Sequence, residues 1–314
     1  MPLEFRLRPV LALTGREGGP ADTPMTVRRA QSARQARSLG WMVMRPGPKV
    51  EISHRFVPVE GGKILVRLYR PTDAGTGPLP LHVFLHGGGW CVGTLDERDP
   101  RCRAIACEGG CVVASLDYRM APENAFPVPV EDCYAALGAL VADAAGLGID
   151  PARVSIGGES AGANLAAVVA LLARDRSGPA LCFQWLDVPA TDLTMAQPSI
   201  DRLATGYGLT KQDMIDFRAC YVPEGVPYTD PRLSPFHAED LHGLPPALIM
   251  TAEFDPLQDD GTVYAERLRA AGVPVQDLHL DGHVHASFAF TRLLSSSRRY
   301  EQTAIAALRA SWRR

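Results

Sequence analysis

Residues 152–176 read ARVSIGGESAGANLAAVVALLARDR. A short apolar run reaches a pair of glycines, an acid and a serine, and an unbroken Ala/Leu-rich run follows. The first run has strand character and the second has helical spacing. Between them, Gly158-Glu159-Ser160-Ala161-Gly162 fits G-x-S-x-G, a pattern that places serine on a sharp strand-to-helix turn. Residues two before and two after such a serine crowd each other, so both must be tiny, and Gly158 and Gly162 fill those places. The following helix N-terminus points N–H groups at any developing negative charge. Alone the pentapeptide also fits a passive serine in a glycine-rich bend, so the rest of the chain must decide.

Working outward, EISHRFVPV and GKILVRLYRP flank Gly61-Gly62 and predict an antiparallel hairpin. LPLHVFLH, CVVASLDYR, ALCFQWLDVP, PALIMTAEFD and VPVQDLHLDGH are further strand-like runs. Helical patterns separate them: PVEDCYAALGALVADAA, DGTVYAERLRAAG with Gly272 as a stop, and the amphipathic tail RRYEQTAIAALRASWRR. This alternation predicts an α/β fold. Its sheet is mostly parallel with an antiparallel N-terminal hairpin, and helices cover both faces. Ligands of such sheets bind at the carboxyl ends of the strands. Two stretches break the alternation, residues 1–50 and 196–230, the second with a helix expected after Leu209. Together they predict a helical cap over the strand ends. The expected division is a cap segment 1–50, a core 51–195, a cap insertion 196–230 and a core 231–314.

Composition is that of an ordinary globular chain, with 46% hydrophobic and 21% charged residues. A net charge of −3 gives no footprint for nucleic acid, and no apolar run approaches a membrane span. The N-terminus lacks a secretory pattern, and TVRRAQSARQARSLGWMVMR reads as a solvated helix that also covers something. Seven cysteines, an odd count, suggest reduced thiols and a cytoplasmic location. Cys102, Cys107 and Cys111 have no C-x-x-C pair and fit neither zinc nor iron–sulfur spacing.

At the strand ends lie the reactive residue types. After LHVFL come His86, Gly87, Gly88, Gly89 and Trp90, a loop whose glycines let main-chain N–H groups approach a ligand. Attack of serine on a carbonyl makes an oxyanion that needs such donors. After PALIMTAEF comes Asp255, and after VQDLHLDG come His283 and His285. The order serine, acid, histidine is thereby satisfied with each member after a different strand. Asp259 and Asp260 read as charges at a helix N-terminus.

These blocks resemble the bacterial hormone-sensitive-lipase-like (family IV) esterases of the α/β-hydrolase superfamily. HGGGW is similar to their oxyanion block, DYRMAPENAFPVPVED to the stretch that braces it, and GGESAGANLA to their nucleophile block. DPLQDDG and DGHVHASFAF are similar to their acid and histidine blocks. The resemblance runs from about residue 51 to the C-terminus. It implies Ser160 as nucleophile, Asp255 as acid and His285 as base, the histidine lying three residues after Gly282. It also implies oxyanion donors at the amides of Gly88, Gly89 and Ala161, with no metal or organic cofactor.

The expected activity is carboxylester hydrolysis of short- to medium-chain acyl esters. An amidase or lipase on the same scaffold is the alternative within enzymes. A non-catalytic small-molecule receptor is the alternative from another class, and retention of all three catalytic residue types argues against it. Trp90, Tyr207 and Phe288 are candidate pocket walls, each with core packing as the other reading. VPVQDLHL reads as an edge strand where two copies could pair as a homodimer.

Three positions depart from the family pattern. Glu159 stands where aspartate is commoner. Ala286-Ser287 replaces Gly-Phe, with Phe288 one place late. Asp187 stands where an apolar residue is usual, and is expected to be paired or solvated rather than to line the acyl pocket.

Overall fold

The computed structural model describes residues 3–14, 23–75 and 77–313. Residues 1, 2 and 15–22 of the expected cap segment lie outside the described residues. Helices α1 (Leu7–Thr14) and α2 (Met25–Val43) precede the sheet. Strands β1 (Val50–Val59) and β2 (Gly62–Pro71) form the antiparallel hairpin, in register from Val50 opposite Pro71 to Val59 opposite Gly62. Gly61 at the turn has φ 72°, which a side chain would resist.

Strand–helix alternation then runs β3 (Leu79–Leu85), α3 (Asp99–Gly109), β4 (Val112–Asp117), α4 (Val128–Ala142), α5 (Ala144–Leu147), β5 (Ile149–Glu159) and α6 (Ala161–Asp175). After β6 (Phe183–Asp187) come α7 (Pro198–Arg202) and α8 (Lys211–Tyr221). The chain closes with β7 (Ala247–Phe254), α9 (Gln258–Ala270), β8 (Val275–Val284) and α10 (Ser295–Ser311). Spatial order in the eight-stranded sheet is β1-β2-β4-β3-β5-β6-β7-β8. The first two strands pair antiparallel, β2 meets β4 antiparallel, and every later pair is parallel.

The period of two in the strands splits the core into two layers. Leu81, Val83 and Leu85 of β3 join Ile156, Leu165 and Val169 in one apolar cluster. Phe84 joins Val113, Trp185, Met250 and Ile305 in the other. Helix α6 is buried from Ala161 to Ala173, and its alanines let it lie close against the sheet. In the 196–230 insertion, α8 starts where Thr210 and Asp213 form a reciprocal capping box. Strand β8 occupies a sheet edge.

Candidate active site

Strand β5 hands over to α6 at Ser160, whose backbone sits at φ 55°, ψ −121°. A β-carbon on Gly158 would come within 2.6 Å of Gly162, and one on Gly162 would run into the main-chain oxygens of Leu85 and His86. Both positions therefore require glycine for steric reasons, and the strained serine is held between them. Its N–H donates to the Asp187 carbonyl at 2.8 Å, fixing the turn to the end of β6.

His285 Nε2 lies 3.0 Å from Ser160 Oγ, and His285 Nδ1 lies 2.7 Å from Asp255 Oδ2. Asp255 is wholly buried. Its other oxygen accepts the Leu257 N–H at 2.9 Å, which fixes the carboxylate plane. This network selects the tautomer with the proton on Nδ1, leaving Nε2 to accept from the serine hydroxyl. His283 lies elsewhere. Its ring nitrogens face the hydroxyls of Ser287 and Ser296, each at 2.8 Å, and burial lowers it to about 4. It is a neutral core histidine.

The glycine loop after β3 bends through left-handed backbone at Gly88 (φ 118°), Gly89 (φ 57°) and Trp90 (φ 60°). His86 stacks on Tyr118 at 4.4 Å between ring centroids, and the Tyr118 hydroxyl donates to the His86 carbonyl at 2.8 Å. Among the described residues, the N–H groups of Gly88, Gly89 and Ala161 have no protein acceptor. All three residues border one cavity with Ser160 and His285. Three free amides beside a serine are the donor set that a tetrahedral oxyanion needs.

That cavity measures about 250 Å³. Trp90 and Phe288 line it, but Tyr207 does not. Gly206 and Gly208, at φ 90° and 95°, turn the chain on either side of Tyr207. Its ring stacks on Phe254 at 4.9 Å and packs with Leu7 and Val284. This corrects the expectation from sequence. The 196–230 insertion instead contributes Leu209, Met214 and Phe217. Met214 and Phe217 are spaced i, i+3 on the helix KQDMIDFRACY, a signal that could have found them.

The three departures from the family pattern lie around the serine turn and the histidine. Glu159 is 3% exposed, and Arg98 Nε donates to its Oε1 at 2.6 Å. Burial alone would raise its carboxyl, but Arg98 and Arg101 outweigh burial and hold it below the ordinary glutamate value. Asp187 is buried and pairs with Arg101, and it also accepts from Trp185 Nε1 at 2.7 Å and from the Tyr300 hydroxyl. It does not border the cavity. The Arg101 guanidinium lies between the rings of Trp185 and Phe288, 5.1 and 4.7 Å from their centroids. Ala286 adopts left-handed backbone at φ 61°, where glycine would rest without strain. Ser287 turns inward to bond the Val284 main chain, and this frees Phe288 to wall the cavity.

Asp259 and Asp260 do lie in the first turn of α9, but both are engaged. Asp259 accepts from the Ser199 N–H, and Asp260 accepts from those of Thr191 and Asp192. Burial holds the Asp260 carboxyl well above the usual range. Among the described residues, no group of three or more His, Cys, Asp or Glu could hold a metal ion, and no helix is long and apolar enough to cross a membrane.

A family model described as alpha/beta hydrolase fold matches residues 82–289. The carboxylic ester hydrolase LipN of Mycobacterium tuberculosis is 44% identical over 273 residues, covering 84% of this chain and 72% of LipN. The carboxylesterase NlhH of the same organism is 40% identical over 296 residues, 91% of this chain and 92% of NlhH. Among solved structures, a hyperthermophilic esterase from the archaeon Pyrobaculum calidifontis aligns with a TM-score of 0.91 at 35% identity and 99% coverage of both chains.

Proposed function

The chain belongs to the α/β-hydrolase family, among its hormone-sensitive-lipase-like esterases, and on that premise we propose that this carboxylic ester hydrolase works through an acyl-enzyme on Ser160. The observation that carries the reading is the unbroken line from Asp255 through His285 to Ser160, ending in a cavity bordered by free amides.

His285 Nε2 takes the Ser160 proton as Oγ bonds to the ester carbonyl carbon. The carbonyl electron pair moves to oxygen, where the amides of Gly88, Gly89 and Ala161 receive it. Collapse of this intermediate breaks the bond to the alcohol oxygen, which His285 protonates. Water then attacks the acyl-serine while His285 takes its proton, and the acid leaves as the Ser160 hydroxyl is restored. Asp255 holds the imidazole tautomer and stabilises its charged form.

Residues 1–50 and 196–230 act as the cap. Leu209, Met214 and Phe217 of the cap, with Leu193, Met195 and Leu257, make an apolar arm suited to an acyl chain. The cavity is smaller than the roughly 300–1,000 Å³ that holds drug-sized ligands, which favours short acyl groups. The edge position of β8 supports a homodimer formed by strand pairing, and the odd count of cysteines supports a cytoplasmic location.

A series of chromogenic esters with matched amides tests the substrate reading. Turnover should peak at acyl chains of about two to six carbons and fall more than about tenfold by about twelve. Amide turnover equal to that of the matched ester would place the enzyme among amidases instead.

A further inference from the structure

The oxyanion loop is strained, and its own bonds, from the Cys91 and Val92 N–H groups to the Gly88 carbonyl, are only part of what holds it. Trp90 has a β-carbon yet sits at φ 60°, a strained conformation that persists only where the surroundings over-determine it. Part of that restraint comes from the hydrolase core, through the stacking of His86 on Tyr118. Further restraint comes from the two cap segments.

Helix α8 presents three residues of one face to the loop, at helical spacing. The Phe217 ring packs so closely on Gly89 that a β-carbon there would overlap it. Cys220 lies beside Cys91, whose thiol also faces the Phe217 carbonyl at 3.9 Å. Tyr221 lies flat on Trp90, with ring centroids 4.5 Å apart and planes 4° from parallel.

Helix α2 supplies a polar staple. Arg29 Nε donates to the Cys91 carbonyl at 2.7 Å, and Nη2 donates to the Ala121 carbonyl at 2.6 Å. The Ala121 N–H in turn donates to the Trp90 carbonyl at 3.0 Å. Glu123 holds the guanidinium from outside, at 2.8 Å. The neighbouring Arg28 pairs with Asp216 of α8 at 3.0 Å, so the two cap segments are also tied to each other. Arg29 does not border the cavity.

We infer that Arg29 is a positioning residue for the oxyanion loop: its guanidinium ties the Trp90–Cys91 end of the loop to the 121–123 stretch, so that the amides of Gly88 and Gly89 face the developing oxyanion. The cap is then part of the catalytic framework as well as a wall for substrate. This inference rests on the reading of Ser160 as an ester-cleaving nucleophile. A half-exposed ion pair with Glu123 would by itself contribute little to stability. The two bonds to main-chain carbonyls of the strained stretch are what make Arg29 specific.

The test compares the full-length protein with Arg29→Met for kcat and KM on a short chromogenic ester. It also measures the affinity of a trifluoromethyl ketone, whose serine adduct carries an oxyanion. A misplaced loop should lower kcat on the order of 10- to 100-fold, leave KM within about threefold, and weaken the ketone by the same factor as kcat/KM. Methylguanidinium added to Arg29→Ala should restore part of the lost kcat. Unchanged kcat, or a loss of kcat with native ketone affinity, would overturn the inference. Should Arg29→Met fail to fold, Arg29→Lys carries the test, because one ammonium cannot serve both carbonyls in the same geometry. A several-fold loss of kcat is then expected, and native kcat overturns the inference. Ser160→Ala separates the two readings. If it keeps native turnover, the hydrolase mechanism itself fails; if it is inactive while Arg29→Met keeps native kcat, only the role of Arg29 fails.

Discussion

His285→Ala is expected to lower kcat on the order of 10⁴- to 10⁶-fold with little change in melting temperature, because members of a triad act as a unit. His283→Ala should behave in the opposite way. Its ring is buried, and its two nitrogens bond serine hydroxyls rather than Ser160 or Asp255. Removing it takes one partner from each hydroxyl, although Ser287 keeps its bonds to the Val284 main chain, and costs about 1–3 kcal/mol of stability, while kcat stays within about tenfold of native. Turnover and thermal melting of the two variants side by side decide the matter. An inactive His283→Ala with a native melting curve would assign the base to the wrong histidine.

The second large effect concerns stability. Arg101 and Asp187 are 4% and 1% exposed, so each is left as an uncompensated buried charge if the other is removed. Arg101→Met or Asp187→Leu alone should lose about 3–5 kcal/mol in urea unfolding. The double variant Arg101→Leu, Asp187→Leu should recover most of that loss, since an apolar pair of similar bulk avoids the desolvation cost. Single variants that lose under about 1 kcal/mol, or a double variant as unstable as the worse single, would contradict this account of the pair.

The features legible in the sequence were those with local causes. Alternation of apolar runs set the parallel sheet, glycines at 61 and 62 marked the hairpin, and tiny residues at 158 and 162 marked the serine turn. The chain order of serine, acid and histidine carried the candidate triad, because each residue follows its own strand. Features set by distant partners stayed hidden. Nothing near Arg98 or Arg101 announces Glu159 or Asp187, which lie 61 and 86 residues away. Tyr207 had the right residue type for a pocket wall, but its partner Phe254 draws it to the junction with α1. Glu159 has no assignable role in the sequence because Arg98, the side chain that pairs with it, lies 61 residues away.

The claim at the centre of this account is that Ser160 is the nucleophile. Reaction with a fluorophosphonate, followed by intact-mass measurement and peptide mapping, tests it most directly. A single covalent adduct per chain is expected, carried on Ser160, with hydrolysis lost in proportion to labelling and no adduct in Ser160→Ala. An adduct on another residue, or native ester turnover by Ser160→Ala, would contradict it.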